Sequence, residues 1–573
     1  MRAGRRINGA DTYSQQGNDE NKRGKMAEGR AYKDLWEHIE ELDAAGLLYR
    51  IDKPVNKDTE MHPLVRWQFR GGIPEAERKA FLFTNVVDSK GRKYGIPVLI
   101  GGLAANPEIY RIGMAADSLD DIGPLWDRGL NHPIATNVVE EAPCQEVVTT
   151  GAEVQGPGKG LDALPIPIST PGYDTAPYFT AATWITKDID SSVQNMGVYR
   201  GNLKAADRLA VMMQISTQSG GYNHWKGYQA RKEKMPVCII LGCPPVVEYT
   251  GPQKVKLGVD ELTVAGGLAG GSINTVKAKT VDLYVPAEAQ VVIEGYIDPE
   301  YLEPEGPFGE SHGYIALEEY NNTMDVTAIT MQKKPVVSSI ISQVTPSESS
   351  VIKRVAYEPM FKSYLRDTLG IRCVQKVSLH EPLTNLRRFV VITVDRDAKK
   401  TEIWRALMGI SAYQAAVGKY CIAINDDIDP DNADAILWAM SYRANPVKDI
   451  QIIDYRARGH GPVLRESSDE STMLIDATLK YDLPPVALPT KKYMERAKEL
   501  WDELGLPPLT PEVPWHGYSL GDWNTKWEAM ARRATDGDYL VNGERTGQLK
   551  MKLHDPQVSI REVMGNDFNP DEE

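Results

Sequence analysis

The middle of the chain is a succession of short strand-like runs separated by glycine and proline, and this pattern restricts the fold more than any other feature. The runs occupy residues 180–186, 209–216, 237–242, 275–285, 290–297 and 324–331. Short strands divided by turn residues favour a barrel or a sandwich over a doubly wound parallel sheet. We therefore predict a β-barrel or β-sandwich domain over residues 141–335.

The regions on either side of this domain alternate between helix and strand. On the N-terminal side, the spacing of apolar residues predicts a helix from Tyr32 to Gly46 and a second helix from Pro107, with strands at 47–51 and 98–101. On the C-terminal side, a helical pattern runs from Pro346 to about Leu369. Alternating strands and helices then follow at 388–394, 401–419, 420–425, 432–443 and 450–454. Such alternation predicts a second, smaller α/β domain.

The predicted fold class is therefore α/β (α+β) with several domains. The predicted segments are a disordered extension (1–30), an N-terminal α/β layer (31–140), the β-rich domain (141–335), a linker helix (346–369), a C-terminal α/β domain (370–490) and a helical extension (491–573). Three tryptophans near the last helices, Trp515, Trp523 and Trp527, are interpreted as packing contacts.

Composition excludes several classes of function. The chain has 65 basic and 79 acidic residues and a net charge of −14, which argues against a nucleic-acid or anionic-membrane partner. It contains no run of about 20 apolar residues and no apolar segment of a secretory signal, so we expect a cytoplasmic protein. The five cysteines never form a CxxC pair, which argues against a disulfide framework or a zinc ribbon.

The common nucleotide-binding and hydrolase signatures are absent. The sequence contains no GxxxxGK[ST], no GxGxxG after a strand, no HExxH and no GxSxG. The glycine cluster at 265–274 lacks the lysine of a phosphate-binding loop, and we interpret it as a tight turn.

The strongest chemical signal is EPEGPFGESHGY at residues 303–314. Glu305 and Glu310 flank Pro307 and Phe308, and the proline excludes both a helical face and regular strand pairing. An apolar ring beside a carboxyl group favours its protonated form, which is the condition for a proton donor near neutral pH. The alternative is a solvated turn whose acids cap backbone amides.

A second cluster, QNMGVYRGN at residues 194–202, places Arg200 after a strand-like stretch. An arginine suits both a neighbouring glutamate and a substrate carboxylate. The alternative is an ordinary surface ion pair.

Together these clusters resemble the UbiD-type decarboxylases. NMGVYR, GVDELTVAG (258–266), EGPFGESHGY (305–314) and GKYCIAINDDID (418–429) follow the order and approximate spacing of that family, over residues 31–489. The resemblance implies decarboxylation of an aromatic or α,β-unsaturated carboxylic acid with prenylated FMN, and hence a carboxy-lyase. It also implies a split-barrel flavin-binding domain, C-terminal oligomerisation into a homodimer or homohexamer, and a flavin prenyltransferase that supplies the cofactor.

The resemblance also assigns roles to particular residues. Arg200, Glu305 and Glu310 match the family's catalytic Glu–Arg–Glu network, with Glu310 as the proton donor. Asn195 and Glu261 match metal ligands, and Lys419 matches a lysine that contacts the cofactor phosphate. The full set of implied cofactor-binding residues is Asn195, Met196, Val198, Tyr199, Arg200, Gln218, Glu261 and Lys419.

The metal site departs from the family at one position. Gln218 stands where the family usually has a histidine, and His224 could replace it only if the loop has a different register. The implied ligands are therefore Asn195, Gln218 and Glu261. These oxygen ligands suit Mn²⁺ or Mg²⁺, with K⁺ as an additional candidate, rather than Zn²⁺.

Other functions remain open from the sequence. Within the family, the chain could act on an aryl-CoA thioester or be a subunit of a carboxylase complex. From other classes, it could be an FMN-binding module without catalysis, or a metal-dependent hydrolase that uses Glu305 and Glu310 as acid and base.

The substrate is the least constrained part of this prediction. By analogy, Val351, Lys353, Arg354 and Val355 would lie near the pocket, and the two cations could recognise a second anionic group. We expect instead that Lys353 and Arg354 point to solvent on an exposed helix face, as such residues usually do.

Overall fold

The computed structural model describes most of the chain in two compact units. The described residues are 34–213, 219–381, 387–414, 417–456, 470–481, 483, 486–510 and 525–548. One unit contains the residues up to Ala423 together with 449–476, and the other contains 424–448 and the residues from Ala477 onward. The predicted disordered extension, Trp515 and Trp523 lie outside the described residues, and the predicted domain boundaries stay predictions.

The N-terminal region is a layer of short strands and helices, as the sequence predicts. Its elements are α1 (Leu35–Ala44), β1 (Leu48–Ile51), β2 (Val55–Asn56), α2 (Met61–Arg70), β3 (Ala80–Phe83), β4 (Val86–Val87), β5 (Lys93–Tyr94), β6 (Val98–Ile100), α3 (Pro107–Gly113), α4 (Ile122–Asn131) and β7 (Asn137–Val139). Side-chain caps fix two helix starts: Asp34 accepts the Trp36 N–H at 3.0 Å, and Asn106 accepts the Ile109 N–H at 2.9 Å.

The central region contributes most of the strands. Its elements are β8 (Val147–Thr150), β9 (Tyr178–Phe179), β10 (Thr183–Lys187), β11 (Gln194–Val198), β12 (Gly201–Ala205), β13 (Arg208–Val211), α5 (Gly220–Arg231), β14 (Met235–Leu241), α6 (Pro245–Thr250), α7 (Glu261–Ala269), β15 (Asn274–Lys277), β16 (Tyr284–Pro286), β17 (Val291–Glu305), β18 (Phe308–Gly309), β19 (Ile315–Ala316), β20 (Glu319–Met331) and β21 (Val337–Ser339). β21 joins the N-terminal sheet in the order β1-β3-β6-β21, and small sheets are formed by β2-β4-β5, β16-β15-β7 and β18-β19.

A nine-stranded antiparallel sheet dominates the central region. Its order is β11-β10-β14-β17-β20-β13-β12-β9, and β8 pairs with the second half of β20. The long strands β17 and β20 lie in the middle and are offset by two bulges. The strand order is an open path, so backbone pairing in the described residues does not close a barrel.

The sheet must nevertheless curl strongly. Five strands separate β11 from β12 in the sheet order, which would place them about 29 Å apart in a flat sheet. Only Tyr199 and Arg200 connect the two strands, and this connection spans at most about 11 Å. The edge strand β11 therefore comes close to β12, the strand next to the opposite edge, and Arg200 lies where they approach each other.

A long helix and a five-stranded sheet follow the central region. The elements are α8 (Glu348–Ser363), β22 (Val374–Leu379), β23 (Phe389–Val394), α9 (Lys400–Tyr413), β24 (Tyr420–Asn425), α10 (Ala433–Arg443), β25 (Ile450–Arg456) and β26 (Glu470–Asp476). The sheet order is β22-β23-β24-β26-β25. A π-helical turn at Tyr364–Thr368 continues α8, so the helical pattern predicted from Pro346 to about Leu369 does form a helix.

The second compact unit is mainly helical. It contains α10 and the helices α11 (Lys491–Glu503), α12 (Thr525–Thr535) and α13 (Tyr539–Gln548). A buried ion pair between Arg443 and Asp427, at 2.6 and 2.9 Å, fixes the end of α10. No helix in the described ranges is both long and apolar enough to cross a bilayer.

Several predicted elements differ from the structure, and three of the differences change the kind or the end of an element. The predicted strand 275–285 is the hairpin β15–β16, since the chain turns between Lys277 and Tyr284. The glycine cluster is not a tight turn at its start, because residues 265–269 are the last turns of α7 and only Gly270, at φ +75°, ends the helix. The helix predicted to end at residue 419 ends at Tyr413.

Candidate active site

Three charged side chains meet where the two ends of the curled sheet join. Arg200 precedes β12, Glu305 ends β17 and Glu310 follows β18. The Arg200 Nε–H donates to Glu305 Oε1 at 3.0 Å and an Nη2–H donates to Oε2 at 2.7 Å, while an Nη1–H donates to Glu310 Oε1. The structure thus brings together the three predicted residues, with Arg200 bridging the two carboxylates.

This network is enclosed by protein. The side chains of Arg200, Glu305 and Glu310 are 7%, 0% and 9% exposed, which excludes both a solvated turn and a surface ion pair. Burial alone would lower the pKa of Arg200, but its hydrogen bonds and charge interactions with the two glutamates outweigh burial and raise the pKa. The Phe308 ring lies 5.3 Å from the guanidinium, so it covers the arginine.

Two residues without any sequence signal complete the shell of Glu305. The Tyr178 hydroxyl donates to Oε1 at 2.8 Å, and the Asn321 amide donates to Oε2 at 3.1 Å. With Arg200, Glu305 therefore accepts four hydrogen bonds. Tyr178 and Asn321 come from β9 and β20, and only the curl of the sheet reveals their proximity.

The segment 169–175 supports the loop that carries both glutamates. Asp174 accepts the Gly309 N–H at 3.1 Å and the Thr170 N–H at 2.6 Å, and burial raises its pKa to about 6. The Thr175 hydroxyl donates to the Gly306 carbonyl at 3.0 Å. A Cβ added at Gly309 would lie 2.0 Å from Thr170 Oγ1, so this close approach requires glycine.

A second polar cluster surrounds Asn195 on β11. Glu261, the first residue of α7, accepts the Met196 N–H at 2.7 Å, which places the two predicted metal ligands on neighbouring positions. The start of α5 lies against Asn195, since a Cβ added at Gly220 would lie 1.6 Å from Asn195 Oδ1. Tyr199 joins the cluster by accepting the Gly221 N–H at 3.2 Å.

The chemistry of this cluster fits a hard cation and a phosphate. An amide oxygen and a carboxylate are ligands that Mn²⁺ and Mg²⁺ accept, and the first turn of α5 offers N–H groups of the kind that bind phosphate. Burial raises the pKa of Glu261 to about 8, and a bound cation would favour the ionised form instead. Glu261 and Asn195 therefore suit the predicted role.

The remaining predicted metal and cofactor residues are placed differently. Gln218 lies outside the described residues. His224 is buried, and its Nδ1 pairs with the Thr186 hydroxyl at 2.8 Å. Lys419 forms an ion pair with Glu470 at 3.2 Å, and within the described ranges it makes no hydrogen bond or ion pair with Asn195 or Glu261. Val198 is half-buried at the end of β11.

The expectation that Lys353 and Arg354 point to solvent is wrong. Arg354 pairs with Glu75 at 2.6 Å and with Glu381 at 3.2 Å, so it is held inside the protein. Lys353 is half-buried, and its charge interacts with that of Glu310. The α8 helix packs against other parts of the protein on several sides. The sequence pattern of the helix does not reveal this packing, because it arises from tertiary contacts.

Comparisons with known proteins identify the family. Residues 137–344 match the 3-octaprenyl-4-hydroxybenzoate carboxy-lyase Rift-related domain, and residues 351–477 match the C-terminal domain of the same carboxy-lyase. An uncharacterized protein of Aquifex aeolicus (strain VF5) is 30% identical over 511 residues, which cover 83% of this chain and all of that protein.

Solved structures show the same fold. The UbiD-class enzyme HmfF from Pelotomaculum thermopropionicum, in complex with FMN, is 26% identical with a TM-score of 0.70, covering 81% of this chain and 100% of HmfF. An evolved dimeric form of HmfF in complex with prenylated FMN is 27% identical with a TM-score of 0.68, covering 80% of this chain and 97% of that one. The vanillic acid decarboxylase of Sedimentibacter hydroxybenzoicus, at 23% identity and a TM-score of 0.68, covers 82% of this chain and 99% of its own, and it shares the fold.

The fold and these matches define a mixed α/β protein of the carboxy-lyase class. The chain belongs to the UbiD family of prenylated-FMN-dependent decarboxylases.

Proposed function

We propose that this protein is a reversible, non-oxidative decarboxylase of an aromatic or α,β-unsaturated carboxylic acid that uses prenylated FMN. The observation that carries the proposal is the buried network in which Arg200 bridges Glu305 and Glu310. An ion pair that only stabilises the fold needs one glutamate beside the arginine. A site that binds a substrate carboxylate and then delivers a proton uses the arginine as the cation and a second glutamate as the acid. Prenylated FMN, when bound, supplies the electron sink that protein side chains lack.

The hydrogen bonds of the two glutamates support different roles for them. A carboxylate has about four lone-pair positions, and Glu305 accepts four hydrogen bonds, so it acts as an anchor rather than as an acid. Glu310 accepts hydrogen bonds from Arg200 and from the Ser311 N–H at 3.1 Å. We assign Glu310 as the proton donor to the carbon that loses CO₂.

Arg200 keeps donors available for the substrate. A guanidinium has five N–H groups, and three of them are used on the two glutamates. The two others can orient the substrate carboxylate, whose planar shape suits an arginine. In this proposal Arg200 positions the leaving carboxylate close to the acid that later protonates the carbon from which CO₂ has left.

The cluster around Asn195 and Glu261 would hold the metal and the cofactor phosphate. Mn²⁺ or Mg²⁺ would neutralise phosphate charge that the acidic chain otherwise repels, with Gln218 as the third ligand and K⁺ as an additional ion. Met196, Val198 and Tyr199 would line the same site, and Lys419 would reach the phosphate only by leaving Glu470.

The remaining parts of the proposal concern assembly and context. The curled, unclosed sheet supports a split-barrel flavin domain over residues 141–335. We propose a cytoplasmic homodimer or homohexamer that obtains its cofactor from a flavin prenyltransferase. The dimeric form of the related HmfF supports self-association.

The direct test is to produce the protein together with a flavin prenyltransferase and to measure CO₂ release from aromatic acids, unsaturated acids and aryl-CoA thioesters. We expect release from at least one free acid, only by protein that carries the modified flavin. Flavin-loaded, metal-loaded protein that decarboxylates no compound in the panel would contradict the proposal. Release from thioesters alone would favour the aryl-CoA alternative.

A further inference from the structure

A carboxylate that the proposed mechanism does not use lies beside the loop that carries Glu310. Asp174 is half-buried, and it accepts two backbone N–H groups. No lysine or arginine in the described part of the chain forms an ion pair with it. Burial without a cation disfavours the ionised form, and it raises the pKa of Asp174 to about 6. An acid that is perturbed in this way next to a reactive group is a candidate for a functional role.

The two carboxylate oxygens of Asp174 hold different parts of the molecule. Oδ2 accepts the Thr170 N–H at 2.6 Å, and the Asp174 N–H donates to the Thr170 carbonyl at 3.1 Å, so these two bonds close a turn. Gln343 fixes this turn from another segment, because its amide donates to the Thr170 hydroxyl at 3.0 Å. Oδ1 accepts the Gly309 N–H at 3.1 Å. Asp174 therefore connects a fixed turn to the residue that precedes Glu310.

The backbone after Gly309 transmits this contact to the catalytic carboxyl group. The Glu310 N–H donates to the Tyr314 carbonyl at 3.1 Å, and the Glu310 carbonyl accepts a second backbone N–H of the same turn at 3.0 Å. These two bonds close the turn from Glu310 to Tyr314. A shift of Gly309 would therefore move the whole turn, and with it the Glu310 carboxyl group relative to Arg200.

We propose that Asp174 is a positioning residue whose ionised carboxylate holds Glu310 at the place from which the proton is delivered. This inference rests on the proposed function and adds to it the group on which the position of the acid depends. An ionised carboxylate accepts hydrogen bonds on both oxygens, whereas protonation turns one oxygen into a donor. Protonation of Asp174 therefore breaks its contact with Thr170 or its contact with Gly309, and either loss releases the loop.

Other ionisable groups lie on the elements around Asp174, and the experiment has to separate their titration from that of Asp174. These groups are His62 on α2, Tyr178 on β9, Arg200 beside β12, and Glu305, Glu310 and His312 on the loop. Burial lowers the pKa of His62 to about 4 and raises that of Tyr178, so both stay neutral between about pH 5 and pH 8. All six groups remain in an Asp174→Asn variant. A pH effect that disappears in this variant therefore belongs to Asp174.

The test measures turnover of the holoenzyme against pH. Wild-type turnover should fall below about pH 6, as Asp174 becomes protonated. Asp174→Asn cannot ionise and carries a donor on one side, so it should be about 10- to 100-fold slower above about pH 7 and should lack this fall. Thr175→Val removes the neutral hydrogen bond to the Gly306 carbonyl, and it should lower the rate but keep the fall. The exposed Asp397→Asn is the matched control and should behave as wild type.

Hydrogen exchange of the holoenzyme, measured by mass spectrometry, gives a readout that does not depend on turnover. Relative to a free peptide, residues 306–314 should exchange faster below about pH 6 in wild type and at every pH in Asp174→Asn. Wild-type turnover that stays constant down to about pH 5, or equal exchange of this segment in Asp174→Asn and wild type above about pH 7, would overturn the inference. The expected exchange pattern in a protein that decarboxylates no acid would support the hold of Asp174 on the loop and contradict the proposed function instead.

Discussion

Arg200 is the cation that links the two acids of the candidate active site. It bridges two buried glutamates, and its removal would leave Glu305 with Tyr178 and Asn321 as its remaining partners. We expect Arg200→Ala to lose at least about 100-fold in turnover and to destabilise the fold by about 3–5 kcal/mol, the usual effect of breaking a buried ion pair. Steady-state rates and urea unfolding would measure both effects.

Arg200→Lys provides a sharper comparison. Lysine keeps the charge but cannot make the forked contact with Glu305, so we expect it to recover stability better than activity. Wild-type turnover in either variant would remove Arg200 from the mechanism.

At this scale the sequence predicted the charged residues and missed their neutral partners. Arg200, Glu305 and Glu310 were predicted because arginine and paired glutamates on a Gly/Pro loop are chemically distinctive. Tyr178 and Asn321 are common residues on strands, and their role depends on which strands meet. Lys353 was assigned to solvent because lysines are usually exposed, and tertiary packing overrides that tendency here.

At the scale of elements, the segment 169–175 holds the loop between β17 and β19, which carries Glu310. Side chains of this segment form hydrogen bonds with the backbone of the loop. Gly309→Ala would place a methyl group against Thr170 and force the loop away. We expect turnover to fall by at least about tenfold while the protein stays folded, because displacement by about 1 Å disturbs catalytic geometry. Gly271→Ala, where an added Cβ has no neighbour within 4 Å, is the control. Equal rates in both variants would show that the loop tolerates the shift.

The first turn of α5 provides a second test of an element's position. Gly220→Ala would drive a methyl group into the Asn195 side chain, so we expect loss of bound metal and flavin from an otherwise folded protein. Elemental analysis and flavin absorbance of the purified protein would show this, with Gly271→Ala again as the control. Full metal and flavin content in Gly220→Ala would mean that Asn195 is not a ligand.

Most elements follow from local patterns, and the exceptions have physical causes. Five of the nine strands of the large sheet were predicted from apolar runs between turn residues, namely β10, β13, β14, β17 and β20. The glycine cluster at 265–274 was interpreted as a tight turn because it lacks the lysine of a phosphate-binding loop. In the structure its first glycines lie in α7 and allow close packing, since a Cβ at Gly267 would lie 2.8 Å from Gly129 Cα. The order of the strands, which creates the site, depends on long-range pairing that no local pattern contains.

At the scale of the whole molecule, buried acids make stability depend on pH. Burial raises the pKa of Glu248 to about 8 and that of Glu348 to about 7. A carboxyl group whose pKa is raised by folding stabilises the fold below its unfolded pKa, and this stabilisation is lost as pH rises through the folded value. We expect the Tm of the metal-free protein to fall between about pH 5 and pH 8.

Glu248→Gln should reduce this pH dependence, because glutamine cannot ionise, whereas the exposed Glu77→Gln should not. Calorimetric melting of the three proteins across the same pH range provides the measurement. A Tm that rises from pH 5 to pH 8, or an unchanged slope in Glu248→Gln, would contradict the assignment of these buried acids.

The central claim, that Glu310 delivers a proton within an Arg200-bridged network, is tested most directly by decarboxylation in D₂O. Wild-type holoenzyme should release CO₂ and place one deuterium on the product carbon. Glu310→Gln should do both about 10²- to 10⁴-fold more slowly at an unchanged flavin content, and the exposed Glu319→Gln should match wild type. Deuterium incorporation by Glu310→Gln at the wild-type rate would contradict the account.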